Sequence, residues 1–124
     1  MKTATLIIRL FAGAFILFFG LNKLFHFVGG EMINPDSSTY FTGLVLTKSI
    51  IVIAVLEILA GLSFLSNAYV PLFALVLLPI SFNAVLFHVT LEPSSIGGAL
   101  LLLILNVFLI LVNKDAYKGL LKLR

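Results

Sequence analysis

The sequence predicts an all-α membrane protein: an antiparallel bundle of four transmembrane helices, with a short amphipathic interfacial helix between the first and second spans. Three observations predict it. Hydrophobic residues make up 61% of the 124 positions and charged residues 10%, whereas a soluble domain is about 45–50% apolar and about 25% charged. The apolar residues gather into four runs, each near the ~20 residues that a bilayer demands. The alternation of polar and apolar residues that marks a membrane β-barrel is absent, so helices are the economical way to satisfy the backbone in lipid. A chain of this length forms one domain, residues 1–124.

The first span covers residues 5–27. Lys2 and Arg9 precede or open it, as in a signal peptide, but the run is too long for a signal core. It also ends in Asn22-Lys23 with no small-residue cleavage pattern, so it reads as an uncleaved span. Gly29-Gly30 stops it and Asn34-Pro35-Asp36 is a turn. In the segment that follows, Tyr40, Phe41, Leu44 and Val45 fall at helical spacing. That spacing predicts a helix over residues 37–46, capped by Asp36 or Ser37 and lying at the membrane surface.

The second span covers 48–65 and the third 70–89. The tight Ser66-Asn67-Ala68-Tyr69 connection makes them antiparallel neighbours. The fourth span covers 96–112, after Pro93 stops the third helix and the following serines supply an N-cap. Lys2, Arg9, Lys114, Lys118, Lys122 and Arg124 lie near the chain ends, while Glu31, Asp36 and Glu92 lie in the opposite connections. By the positive-inside rule both termini are expected in the cytoplasm. The basic tail, with Tyr117, Leu120 and Leu121 among its lysines, suits anionic headgroups.

Glu57 is the sharpest anomaly, a carboxylate midway along the second span. An ionised side chain there costs at least ~2.5–3.5 kcal/mol on insertion scales, so it must find a partner or give up its charge. On a wheel of about 100° per residue, Arg9, Gly13, Ile16, Gly20, Lys23 and Phe27 share one face of the first helix. Ile50, Ala54, Glu57 and Gly61 share one face of the second. The glycines permit close approach. Glu57 is thus expected to pair with Arg9 or Lys23, and Arg9 is preferred for its two parallel donors. Two readings stay open for the pair: a proton-handling or ligand-binding group, and a structural lock on helix register.

A second cluster gathers toward the outer ends. Asn22, Lys23 and His26 on the first helix and Asn83 and His88 on the third form a candidate ligand pocket. Pro79, one turn before Asn83, removes a backbone donor and opens room beside it. The histidines are candidates to bond a quinone carbonyl or a lipid head group. Two histidines without a third ligand make a poor metal site, so no metal is expected. Asn106 on the fourth helix reads as interhelical glue. With no cysteine there is no thiol chemistry. The basic residues sit at helix ends rather than in a patch, which argues against nucleic acid. Glu57 and Glu92 are expected on different levels, so paired-carboxylate catalysis is not indicated.

Taken in order, several of these segments resemble one family. Arg9-x-x-x-Gly13, then Phe19-Gly20-Leu21-Asn22-Lys23-Leu24-Phe25, Phe41-Thr42-Gly43, and Glu57-Ile58-Leu59-Ala60-Gly61-Leu62 are similar to DoxX-like membrane proteins. Val70-Pro71-Leu72, and Leu78-Pro79-Ile80 through Asn83 and Leu86-Phe87-His88 to Leu91-Glu92-Pro93, extend the likeness. The resemblance implies a four-helix membrane bundle in which Arg9 and Glu57, with Lys23 and His88, are family-type polar positions. It also implies a bacterial inner-membrane setting and a link to membrane oxidoreductase complexes, including a thiosulfate:quinone oxidoreductase, or to assembly of other membrane proteins. The expected role is therefore an accessory or membrane subunit of a larger, redox-linked complex, not an enzyme on its own. The alternatives are a binder or oxidoreductase component for a quinone or similar lipophile, and a transporter. Four helices are few for alternating access, so transport would require a homo-oligomer.

Overall fold

The computed structural model describes residues 2–25 and 34–120. Within them the chain forms α1 (Lys2–Phe25), α2 (Pro35–Leu46), α3 (Ser49–Ser66), α4 (Val70–Thr90) and α5 (Gly97–Val112). Short 3₁₀ turns at Pro93–Ser95 and Lys114–Tyr117 flank α5. The described residues contain no strand. Helices α1, α3 and α4 are long and apolar enough to cross a membrane. Helix α5 is as apolar but has only 16 residues. That makes it about 24 Å long, against a hydrocarbon core of about 30 Å. His26 and Phe27, the expected end of the first span, lie outside the described residues, as do Gly29, Gly30, Glu31, Leu121, Lys122 and Arg124.

The helix ends depart from expectation in two places, each for a local reason. Helix α2 starts at Pro35, not Ser37, and its cap is Asn34, whose side chain accepts from the Asp36 amide at 2.9 Å. Proline in the first turn lacks only an N–H that a helix start leaves unbonded, so the helix extends back to it. Ser37, freed from capping, is fully buried. No side chain caps α5. The serines after Pro93 belong to the 3₁₀ turn instead, and Ser95 Oγ donates to the Glu92 carbonyl at 3.3 Å. The α3–α4 connection is tight, as expected. Asn67 (φ 58°) and Tyr69 (φ 61°) both adopt left-handed backbone, at a cost of about 1–2 kcal/mol for each residue with a Cβ. Ser63 offsets part of it by donating through Oγ to the Ala68 carbonyl while accepting its amide.

Two seams hold the long helices together. In the first, α1 and α3 run antiparallel with almost no side chain between them. A methyl group added at Gly61 would lie 2.7 Å from Leu17 Cβ and 2.9 Å from the Gly13 carbonyl; at Gly20 it would meet the Ala54 carbonyl at 3.0 Å. The faces read from the sequence are the buried ones: Gly13, Ile16 and Gly20 on α1, and Ala54, Glu57 and Gly61 on α3. The second seam joins α4 to α5 through a polar bond. Asn106, 1% exposed, donates through Nδ2 to the Ala74 carbonyl at 2.8 Å and accepts from Ser81 Oγ at 2.7 Å. Between the seams, Ile16, Phe64, Ala74, Leu77, Leu102 and Leu109 form the common core. Beyond α5, Tyr117 folds back and donates its hydroxyl to the Pro71 carbonyl at 2.7 Å, which closes the chain end onto the start of α4.

Candidate functional site

The register of the first seam decides which cation meets Glu57. Gly13 opposes Gly61 and Gly20 opposes Ala54, so Glu57 lies level with the second half of α1. Arg9 is offset from that level by about 12 Å along the axis, against about 9 Å for Lys23. The direction of the Cα–Cβ bonds reinforces this. Side chains tilt toward the N-terminus of their own helix. In an antiparallel pair Lys23 therefore leans toward Glu57 and Glu57 leans toward Lys23, whereas Arg9 leans away. Lys23 Nζ lies 2.7 Å from Glu57 Oε1, with the carboxylate side chain only 3% exposed and the lysine 26%. The expected preference for Arg9 is thus corrected: Lys23 is the cation at Glu57. Beyond this ion pair, Oε1 meets no hydrogen-bond donor among the described residues.

Arg9 has a different task. It donates through one terminal guanidinium nitrogen to the Phe64 carbonyl. Phe64 lies in the last turn of α3, where carbonyls have no intrahelical partner. A cation there also meets the negative end of the helix dipole. Arg9 thus caps α3 from a neighbouring helix.

Beside the Lys23–Glu57 pair lies a cavity of about 280 Å³. Its walls come from four helices. α1 contributes Lys23, and α3 contributes Ile50, Ile53 and Glu57. On α4 the lining includes Pro79, Ile80, Asn83, Phe87 and His88, and α2 covers it with Tyr40, Phe41 and Leu44. Of the residues read as a pocket from the sequence, Lys23, Asn83 and His88 line this space together. Asn22 is half-buried on α1 and is not in the lining; His26 lies outside the described residues.

Polar atoms in the cavity are oriented. His88 Nδ1 is 2.7 Å from the Ala84 carbonyl. A carbonyl only accepts, so Nδ1 carries the proton, and in the neutral ring Nε2 is left as an acceptor. Asn83 donates through Nδ2 to the Tyr40 hydroxyl at 2.8 Å, leaving that hydroxyl its own proton to give. Tyr40 stacks on Phe87 with centroids 5.0 Å apart, and Phe41 meets the edge of the same ring at 5.2 Å. The cavity therefore offers donors and acceptors within an aromatic and aliphatic lining.

Sequence reading missed two residues that build this roof. Glu92, 4% exposed, accepts through Oε2 from the Asn34 amide at 2.8 Å and from Ser37 Oγ at 2.9 Å. A carboxylate at the N-terminus of α2 satisfies its unbonded groups and the positive end of its dipole. Tyr40 reads from its spacing as a membrane anchor; only the folded position of α2 makes it part of a cavity wall. Among the described residues no group of three or more His, Cys, Asp or Glu could hold a metal.

The family model described as DoxX matches residues 4–90. The chain belongs to the DoxX family. The matched segment runs from α1 through α4 and contains every residue that lines the cavity of this DoxX protein, while α5 lies beyond it. No curated protein and no solved structure matches the chain.

Proposed function

We propose that this DoxX protein binds the polar head of a lipophilic small molecule, of the quinone and quinol class, in the cavity beneath α2. The observation that carries this reading is the composition of that one space. An intramembrane ion pair, a histidine with a free Nε2 acceptor and a tyrosine hydroxyl converge on an aromatic-lined void. Lys23 and Tyr40 suit a carbonyl oxygen, and His88 Nε2 suits a hydroxyl. Glu57 can exchange a proton with the bound group because its Lys23 partner holds its charge when it is ionised. An apolar tail would leave toward lipid, as expected for pockets that are mostly apolar with a few placed polar groups.

In this reading the chain is a four-span inner-membrane domain over residues 1–124 with both termini cytoplasmic. Helix α5 crosses with help from its flanking 3₁₀ turns and local bilayer thinning, and α2 lies at the outer interface. Purified protein should co-extract with a quinone or bind a short-chain quinone added in detergent. His88→Ala should weaken binding about tenfold, the value of one hydrogen bond in a dry site. Glu57→Gln should preserve folding and remove the carboxylate's share of the pH dependence of binding. No bound quinone, together with unchanged affinity in His88→Ala, would refute the assignment. Collapse of folding in Glu57→Gln would make the pair a structural lock.

A second reading, an accessory subunit of a larger redox-linked complex, is supported by the outer face of α1. Phe11, Phe18 and Phe25 stand exposed there at seven-residue spacing, a stripe suited to a partner helix. Phe11→Ala with Phe18→Ala should then release a co-purifying membrane protein. Recovery of the wild type alone in mild detergent would count against it.

A further inference from the structure

A second cavity, of about 360 Å³, lies at the opposite end of α1. Lys2, Thr5, Leu6 and Arg9 line it from one face of that helix, at the spacing of two helical turns. Asn67 closes it from the α3–α4 turn, and Asn113 closes it from the end of α5. Neither cation is paired with a carboxylate among the described residues. Among the described residues the ion pairs are Lys23–Glu57 and Lys118–Asp115, neither of which involves Lys2 or Arg9. Arg9 spends a single donor on the Phe64 carbonyl, and a guanidinium has five. Asn113 has its Nδ2 engaged with the Leu109 carbonyl at 2.7 Å.

A half-buried guanidinium about two turns inside a membrane helix, with a lysine above it and no acid in the cavity lining, calls for an anion from outside the described residues. The anion needs several acceptor oxygens for the remaining fork donors, which a phosphate supplies. The rest of the lining favours one source. Leu6 and Val112 are exposed and border the same cavity, giving an apolar path by which an acyl chain can leave. We infer that this cavity binds the phosphodiester headgroup of an anionic glycerophospholipid, with Arg9 and Lys2 as its cations. The site is separate from the cavity beneath α2, and its Lys2, Leu109, Val112 and Asn113 fall outside the segment that defines the family.

The test is lipid retention by native mass spectrometry, on full-length protein released from vesicles of equal phosphatidylglycerol and phosphatidylcholine. Wild type should retain phosphatidylglycerol at least about fivefold over phosphatidylcholine. Lys2→Gln, which leaves the Arg9 cap on α3 intact, should reduce that preference about threefold. Arg9→Gln with Lys2→Gln should erase it, and added salt should mimic the loss. Lipid retention indifferent to headgroup charge in the wild type, or an unchanged preference in Lys2→Gln and in the double variant, would overturn the proposal. Displacement of the lipid by millimolar inorganic phosphate would overturn the lipid assignment and leave a free-phosphate site.

Discussion

The α1–α3 seam and the α4–α5 seam both join apolar helices, yet by opposite means. Lipid is as apolar as leucine, so burial alone does not draw helices together in a membrane. The first seam gains attraction by removing side chains: Gly13, Gly20 and Gly61 let backbones approach until a single added carbon would collide. The second seam adds a polar group, and Asn106 bonds both Ala74 and Ser81 across the gap. One seam is intolerant of gained volume, the other of lost hydrogen-bonding capacity.

That contrast can be broken from either side. The largest effect is expected at Gly61. Gly61→Leu should drive α1 from α3, lose at least about 3 kcal/mol, the upper range for overpacking, and separate Lys23 from Glu57; chemical unfolding in mild detergent measures it. Asn106→Leu keeps the volume and removes the bonds. It should cost about 1–2 kcal/mol, the range for interhelical hydrogen bonds in membranes, in the same assay. If Asn106→Leu proves more damaging than Gly61→Leu, the two seams have been ranked wrongly.

The smallest effect concerns the latch at the end of the second seam. Burial pushes the Tyr117 phenol above its ordinary value. An acid whose folded pKa is raised favours folding while protonated. Its contribution is complete below the unfolded value, near pH 10, and is lost as pH rises through the folded value. Thermal stability should therefore fall above about pH 10 in the wild type and fall less in Tyr117→Phe. That variant should itself lose about 1 kcal/mol at neutral pH with its bond to Pro71.

The helical periodicity of the sequence identifies the buried faces of α1 and α3, because small residues and one acid recur at turns of the helix. It also marks Asn106, since a lone amide in an apolar run has few other uses. The choice between Arg9 and Lys23 is a matter of register and of the tilt of Cβ. Donor strength, which favours arginine, is the wrong criterion when its axial offset is the larger and its side chain leans away. Ser81 carries no signal in the chain, because serine is unremarkable beside Pro79 until Asn106 is set opposite it. Glu92 looks like an exposed turn residue for a similar reason. Its burial depends on α2 folding back over α4, a contact between residues 55 apart that no local pattern encodes.

Helix α2 is moored at three points. Glu92 holds its first turn, Asn83 holds Tyr40 at its middle, and the Thr47-Lys48 turn ties its last residue to α3. A cover pinned at both ends does not swing like a door. A small molecule bound there as proposed would then exchange sideways, between helices and through the oily phase.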